Sequence, residues 1–311
     1  MRKGDEIARQ ILGEDCYMMT CHGEGSRDFL MSADIFDGAR IGLDIFDWGK
    51  FIQSGVNRIF KFYPFHNTML YCDPDNIVIR EEYNTMDQAI SRVSLISLLG
   101  LPINIGDDLT VLPQERLSLL KQILPGIQVK PASLSAKTFA QDVITVSVRV
   151  ATSWERYQLV DIFNTSDKQQ AVTLSRETLG IAEEERIVAF DYWKRKYLGE
   201  VSSVLNVICQ PYESCVLAIR PLSDHPQLIS TTRHLAQGYQ EIETLMWKEE
   251  PCLLQGRIRL VAHDEVQLYF RVPHGYRSLD FPVENEIGQW RMCSETDDAV
   301  DFTLRFEKTI K

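Results

Sequence analysis

The stretch that decides how this chain is interpreted is Gly38–Trp48, with the sequence GARIGLDIFDW. A short apolar strand runs to Asp44 here, and Arg40 and Trp48 lie close to it in sequence. A carboxylic acid can protonate a leaving oxygen, a guanidinium can orient polar groups, and an indole can stack on a pyranose ring. The stretch therefore predicts a sugar-cleaving pocket with its acid at a strand end.

Two later segments carry acidic residues in the same position, directly after a predicted strand. Asp73-Pro74-Asp75 follows the strand at 68–72, and Asp107-Asp108 follows the strand at 101–105. Open α/β sheets and βα-barrels place their active sites at the carboxyl ends of their strands. The three segments together predict one site.

Helical and strand patterns alternate over residues 1–130. A first strand is expected at 16–21, followed by a loop that begins at His22, and helices are expected at 5–12, 48–62, 85–99 and 113–124. Thr85 or Asn84 can cap the third helix, and Pro113 is a favoured residue for the first turn of the fourth. Alternating strands and helices predict parallel strand pairing with right-handed crossovers.

The pattern changes near residue 131. Short strands rich in Val, Ile, Tyr and Phe follow one another, separated by turns such as Asn164–Asp167, and no convincing helix interrupts them. This is typical of an antiparallel β-sandwich. The predicted fold class is therefore α/β plus all-β, with domains at 1–130 and 131–311.

Composition excludes several classes of partner. The chain of 311 residues has a formal net charge of -11, which argues against nucleic acid or an anionic membrane surface as partner. No apolar run approaches the roughly 18 residues of a membrane span, and the N-terminal residues lack the apolar core of a signal peptide. We therefore expect a cytoplasmic protein.

The seven cysteines show no CxxC spacing. Zinc binding and thioredoxin-type redox chemistry therefore have no support from the sequence, and we expect reduced thiols and no metal site.

Taken in order, these segments resemble the C-terminal half of α-galactosidase-type glycoside hydrolases, the melibiase group, which have a (β/α)8 barrel and a trailing β-sandwich. Arg40–Asp44 resembles the strand whose aspartate is the family's general acid/base. Other matching segments are Tyr17–Cys21 with its sugar-facing loop, Asp73–Asp75 with Arg80, Gly106–Leu109 with Pro113–Leu117, and His225–His234. The resemblance implies the last four strands of a TIM (β/α)8 barrel before the sandwich.

The resemblance also implies roles for individual residues. Asp44 would be the acid/base, an α-galactoside-type sugar would be the ligand, and no cofactor would be needed. The implied sugar-contacting residues are Arg40, Trp48, Cys21, His22 and Asp107. Which sugar of this type binds is left open between galactose, N-acetylgalactosamine and arabinopyranose.

Each candidate has a structural alternative. Asp44 would cap the helix near Trp48, and Arg40 would form an internal salt bridge. Trp48 would be a core residue. Cys21 would be a buried thiol, and His22 would form hydrogen bonds within the protein. Asp107 would brace the loops.

A retaining glycosidase needs two carboxylates about 5 Å apart, an acid/base and a nucleophile. The resemblance places the nucleophile in a Lys-x-Asp strand that precedes Tyr17–Cys21. Lys3-Gly4-Asp5 has these letters, but it lies at the start of an apparent helix and too close to the next strand for a crossover. We interpret it as a helix start and expect the nucleophile-bearing strands to be absent from this chain.

Half of a barrel would expose two strand edges and an apolar interior. A second polypeptide, a second copy of the chain or the sandwich itself would have to cover them. Two functions follow: a truncated or split glycoside hydrolase, and a non-catalytic carbohydrate-binding protein or degenerate remnant. We expect the isolated chain to be inactive and to self-associate.

Overall fold

The computed structural model describes residues 2–21, 31, 33–129, 131–134 and 142–309. Helix α1, Arg2–Leu12, precedes three strands: β1, Met19–Thr20, β2, Gly38–Arg40, and β3, Tyr71–Asp73. They form a parallel sheet in the order β1-β2-β3, with Met19 opposite Gly38 and Gly38 opposite Tyr71. Lys3-Gly4-Asp5 lies inside α1, as predicted.

The helical segment between β2 and β3 is irregular. It runs from α2, Trp48–Lys50, through a π-helical turn, Phe51–Val56, into α3, Asn57–Phe62. Asp47 caps it, because its carboxylate accepts a hydrogen bond of 2.9 Å from the backbone amide of Lys50. The cap is thus Asp47, and the alternative that Asp44 caps this helix is wrong.

The remaining α/β elements are β4, Asn76–Ile77, α4, Met86–Leu98, β5, Asn104–Ile105, and α5, Gln114–Ile123. Strands β4 and β5 form a second parallel pair. Thr85 and Gln88 form a capping box at the start of α4, so the predicted helix start is confirmed. Strand β4 was not predicted: Asp75, with a left-handed φ of 76°, breaks the chain into two short strands.

The antiparallel region begins with two sheets. Their strands are β6, Pro131–Leu134; β7, Val143–Ala151; β8, Arg156–Asn164; β9, Gln170–Ser175; β10, Ile187–Asp191; β11, Lys196–Val201; β12, Val204–Cys209; and β13, Ser214–Pro221. A six-stranded sheet has the order β11-β10-β13-β8-β7-β6, and β12 and β9 form a two-stranded sheet. A single helical turn, α6, Arg176–Leu179, follows β9.

The last strands of the described chain are β14, Gln227–Thr231; β15, Ile242–Lys248; β16, Leu253–Leu260; β17, Val266–Arg271; β18, Tyr276–Ser278; β19, Val283–Glu284; β20, Ile287–Met292; and β21, Asp298–Lys308. They form two four-stranded sheets, in the orders β14-β17-β20-β19 and β15-β16-β21-β18. The predicted antiparallel pairing is confirmed. The sequence did not show that the antiparallel strands separate into these sheets, with one apolar core among β8 to β13 and another among β14 to β21.

The largest apolar core joins the α/β part to the six-stranded sheet. Val93 and Leu95 of α4 belong to the same buried cluster as Val146 of β7 and Leu159 of β8. The helical side of the α/β part is therefore covered by the antiparallel region. Among the described residues, no helix combines the length and the apolar character needed to cross a membrane.

Candidate active site

Arg40 connects an exposed carboxylate with a buried one. It is the last residue of β2, and one guanidinium nitrogen donates a hydrogen bond to Asp44 and lies 3.0 Å from Oδ1 of Asp75. The side chain of Asp44 is 68% exposed, whereas that of Asp75 is 6% exposed. Burial alone would lower the pKa of Arg40, but the two carboxylates raise it. Asp44 is therefore exposed to solvent and bonded to Arg40, and the buried Asp75 holds Arg40 in place.

Asp75 holds the loop that carries Asp44. Its Oδ2 accepts a hydrogen bond of 2.8 Å from the backbone amide of Ile45, and its own amide donates to Oδ1 of Asp73 over 2.9 Å. Asp73 also accepts a hydrogen bond of 2.8 Å from the side-chain amide of Asn104 in β5. Burial raises the pKa of Asp73, and these hydrogen bonds offset the rise only in part. These two aspartates brace the strand ends.

Asp107 is enclosed. Its side chain is fully buried; Oδ2 accepts hydrogen bonds from the backbone amides of Ile79, at 2.5 Å, and Arg80, at 3.2 Å. Oδ1 accepts a further bond of 2.8 Å from the guanidinium of Arg80. A carboxylate in this setting has no free surface for a ligand. The prediction that Asp107 binds the sugar is corrected: it braces the loop after β4.

Trp48 packs between the two regions of the molecule. Its ring centroid lies 5.5 Å from that of Phe51, 5.8 Å from that of Phe163 in β8 and 5.6 Å from that of Tyr212. These contacts match the core alternative. They place Trp48 in the contact with the antiparallel sheets and not as an open platform on which a sugar could stack.

Cys21 and His22 follow β1. Cys21 is exposed, carries a free thiol, and contributes to the raised pKa of Arg40, so the alternative of a buried thiol is wrong for it. The predicted sugar contact of Cys21 remains a prediction. His22 lies outside the described residues.

Arg92 in α4 is a site residue that the sequence analysis missed. Its fully buried guanidinium donates hydrogen bonds to the carbonyls of Ile45, Phe46, Asp47 and Val78, at 3.0 to 3.3 Å. Burial lowers its pKa to about 10. These hydrogen bonds from Arg92 therefore hold the loop after Asp44 in place. The only charged residue in the stretch 88–98 of this helix is Arg92, which was the available signal.

One face of the parallel sheet is open. Side chains alternate along a strand, so Tyr17 and Met19 share a face with Tyr71, and these three residues are between 42% and 56% exposed. A methyl group at Gly38, between them, would collide with the hydroxyl of Tyr17. Arg40 also belongs to this face. The candidate site therefore lies at one end of an exposed, largely apolar surface, which we call the open face.

This arrangement of short parallel strands followed by antiparallel sheets occurs in solved glycoside hydrolases. A GH27 β-L-arabinopyranosidase from Geobacillus stearothermophilus, solved as a variant with arabinose, matches 71% of this chain at 18% identity and a TM-score of 0.60. An α-galactosidase from Mortierella vinacea matches 67% of the chain at 13% identity and a TM-score of 0.54. The matched part of the chain is similar in fold to part of these solved glycoside hydrolases.

A third match to this GH27-type fold is the α-galactosidase of Saccharomyces cerevisiae, solved with raffinose. It covers 70% of this chain at 13% identity and a TM-score of 0.53. The chain spans 55%, 60% and 66% of the lengths of the three solved proteins. No protein-family model and no curated protein sequence matches the chain.

Proposed function

We propose that this chain carries the acid/base position of a retaining glycoside hydrolase that acts on an α-galactoside-type sugar. The observation that carries the proposal is the geometry of Asp44: an exposed carboxylate after a parallel strand, hydrogen-bonded to Arg40, which is itself anchored by the buried Asp75. The GH27-type fold supports it, since the arabinopyranosidase was solved with arabinose and the yeast α-galactosidase with raffinose.

The chemistry assigned to Asp44 has two steps. As an acid it donates a proton to the glycosidic oxygen as the bond to the leaving group breaks. As a base it then takes a proton from the water that hydrolyses the glycosyl ester. Arg40 keeps the carboxylate in place in both steps. No cofactor is needed for this reaction.

The second carboxylate of this mechanism is proposed to come from a second polypeptide. Around Asp44, the described carboxylates of Asp73, Asp75 and Asp107 are buried and engaged in hydrogen bonds, so none of these three can act as the nucleophile. The open face beside Arg40 offers a surface on which the second polypeptide would pack.

The same observation favours a second function for the chain alone, namely sugar binding without hydrolysis. One exposed carboxylate and one arginine can hydrogen-bond sugar hydroxyls, but they cannot form a glycosyl ester.

The seven cysteines are all free thiols, which supports the proposal of a reducing, cytoplasmic location.

The test is calorimetric titration of the purified chain with galactose and with arabinose, followed by assay of aryl glycosides of both sugars. Wild-type protein is compared with Asp44→Asn and with Asp167→Asn, a control at an exposed turn of the antiparallel region. Binding that Asp44→Asn weakens at least about tenfold, without hydrolysis, supports the proposal. Hydrolysis by the chain alone would contradict the proposed external nucleophile, and no binding of either sugar would contradict both functions.

A further inference from the structure

A second cluster of reactive side chains lies far along the sequence from Asp44, at the turn between β12 and β13. Cys209 ends β12, Cys215 is the second residue of β13, and Glu213 lies in the turn. The two Sγ atoms are 3.3 Å apart, and they and a carboxylate oxygen of Glu213 all lie within 4.8 Å of one another. Both cysteines are fully buried. The fold thus brings two sulfur ligands and one oxygen ligand to a single point.

A cation already lies at this point. The ammonium of Lys194 is 2.9 Å from Oε1 of Glu213 and 3.5 Å from Sγ of Cys215. It also lies 3.4 Å from the carbonyl of Ile208 and 3.9 Å from Oδ2 of Asp191, whose side chain is buried. Although burial alone would lower the pKa of Lys194, these neighbours raise it. The surroundings of the ammonium therefore stabilise positive charge.

We propose that Cys209, Cys215 and Glu213 form a binding site for one thiophilic divalent cation of the Zn²⁺ class, which replaces the ammonium of Lys194. Two thiolates that each lie about 2.3 Å from a tetrahedral Zn²⁺ are about 3.8 Å apart. The observed separation of 3.3 Å is close to this value and well above the ~2.05 Å of a disulfide. Small movements of two side chains would complete the site.

Binding is an exchange of cations and protons. Two thiol protons leave to solvent as the two metal–sulfur bonds form, and the carboxylate of Glu213 exchanges its ion pair with Lys194 for a bond to the metal. Lys194, whose side chain is 40% exposed, moves toward solvent, and water or Asp191 supplies the fourth ligand. Because two thiol protons are released on binding, affinity is expected to rise with pH.

The consequence of the site is structural. Tyr212, in the same turn, accepts a hydrogen bond of 2.6 Å through its carbonyl from the hydroxyl of Ser91 in α4, and its ring contacts Trp48. A metal bound to Glu213 and the flanking cysteines fixes the turn that contacts the α/β part. Sequence spacing did not reveal the site, because five residues separate Cys209 from Cys215 in place of the two of a CxxC motif.

The test uses the full chain, reduced and freed of metal with a chelator. Cd²⁺ is added as the probe, and the ultraviolet charge-transfer band of thiolate–Cd²⁺ bonds is followed. One ion per chain is expected, with affinity at least about tenfold weaker in Cys209→Ser and Cys215→Ser and unchanged in Cys293→Ser, an exposed control. Zn²⁺ is expected to displace Cd²⁺.

Two further variants keep the test decisive if a buried serine disturbs folding. Lys194→Met removes the competing ammonium and is expected to tighten binding, whereas Glu213→Gln is expected to weaken it. Equal affinity in all variants would overturn the proposal. So would recovery of a Cys209–Cys215 disulfide from protein purified without reductant, combined with no Cd²⁺ band after its reduction.

Discussion

The α/β part and the antiparallel region are stabilised by different interactions. Strands β1 to β5 are only two or three residues long, whereas β7 and β8 have nine residues each and β21 has eleven. The long strands are held by extended ladders and apolar cores. The loops after the short strands are held instead by buried charged side chains that bond to backbone groups. The candidate site therefore depends on a few arginines and aspartates rather than on strand pairing.

Buried charges also differ between the two regions. In the α/β part, Asp75 and Asp107 pair with Arg40 and Arg80, respectively. In the six-stranded sheet, Asp161 of β8 is fully buried, and a serine hydroxyl is the neighbour that favours its charged form. The buried ion pairs of the α/β part position the candidate site, whereas burial of Asp161 lowers the stability of the folded protein.

Replacing Arg92 should show the largest effect. Arg92→Leu removes the guanidinium that donates to the carbonyls of Ile45 and Phe46 beneath the loop, and we expect the free energy of unfolding to fall by about 3 kcal/mol. Urea unfolding followed by circular dichroism measures it. Arg156→Leu, on the exposed side of β8, is the control and should change the value by less than about 0.5 kcal/mol. Equal losses in both variants would refute the role given to buried charge.

Asp161 should make the stability depend on pH. Burial raises its pKa to about 7 in the folded protein, above the 3.8 of the free side chain, and Ser214 offsets this only in part. The folded state therefore holds a proton that the unfolded state releases, and stability is lost as pH rises from about 4 through 7. Asp161→Asn should stabilise the protein by about 2 to 3 kcal/mol more at pH 8 than at pH 5. Urea unfolding at both pH values measures this, and an equal gain at the two would contradict it.

The fold of the α/β part was predictable where local signals decide it. Thr85 was one of the two residues predicted to cap α4, and the alternation of elements predicted parallel pairing. The break at Asp75 was not predictable, because its left-handed backbone depends on hydrogen bonds to Ile45 and Asp73 that only the fold supplies.

For the candidate site, the sequence indicated where acidic side chains lie but not how each is surrounded. Strand-end acids marked where charged groups would gather. Which of them is exposed depends on partners distant in sequence: Asp107 is covered by Ile79 and Arg80, 28 and 27 residues away. Sequence spacing carries no information on such enclosure, so it could not show that Asp44 is exposed and Asp107 enclosed.

A smaller effect is expected at Gly55, in the π-helical turn. An added methyl group would lie 2.7 Å from Cδ1 of Ile45 and 3.3 Å from the ring of Phe51, both in the core. Gly55→Ala should lower the free energy of unfolding by about 1 kcal/mol. Gly4→Ala in α1, where nothing lies within 4 Å, should leave stability unchanged or raise it slightly. Thermal unfolding of the two variants provides the comparison, and a reversed order would contradict the close packing at Gly55.

The smallest effect on folding is expected on the open face. Met19→Lys should change the free energy of unfolding by less than about 0.5 kcal/mol, since the side chain is exposed. It should nonetheless reduce self-association measured by light scattering, because the face would no longer be apolar. Leu279→Lys, an exposed site in the antiparallel region, is the control. A wild-type chain that stays monomeric at all concentrations would contradict the prediction that the open face causes self-association.

The central claim is that the α/β part binds sugar beside Asp44 while the antiparallel region supports it. Hydrogen exchange measured by mass spectrometry, with and without saturating galactose or arabinose, tests this most directly. We predict slower exchange in the segments 38–47 and 71–77, and unchanged exchange across 143–309. Protection confined to the antiparallel strands, with none near Asp44, would contradict the account.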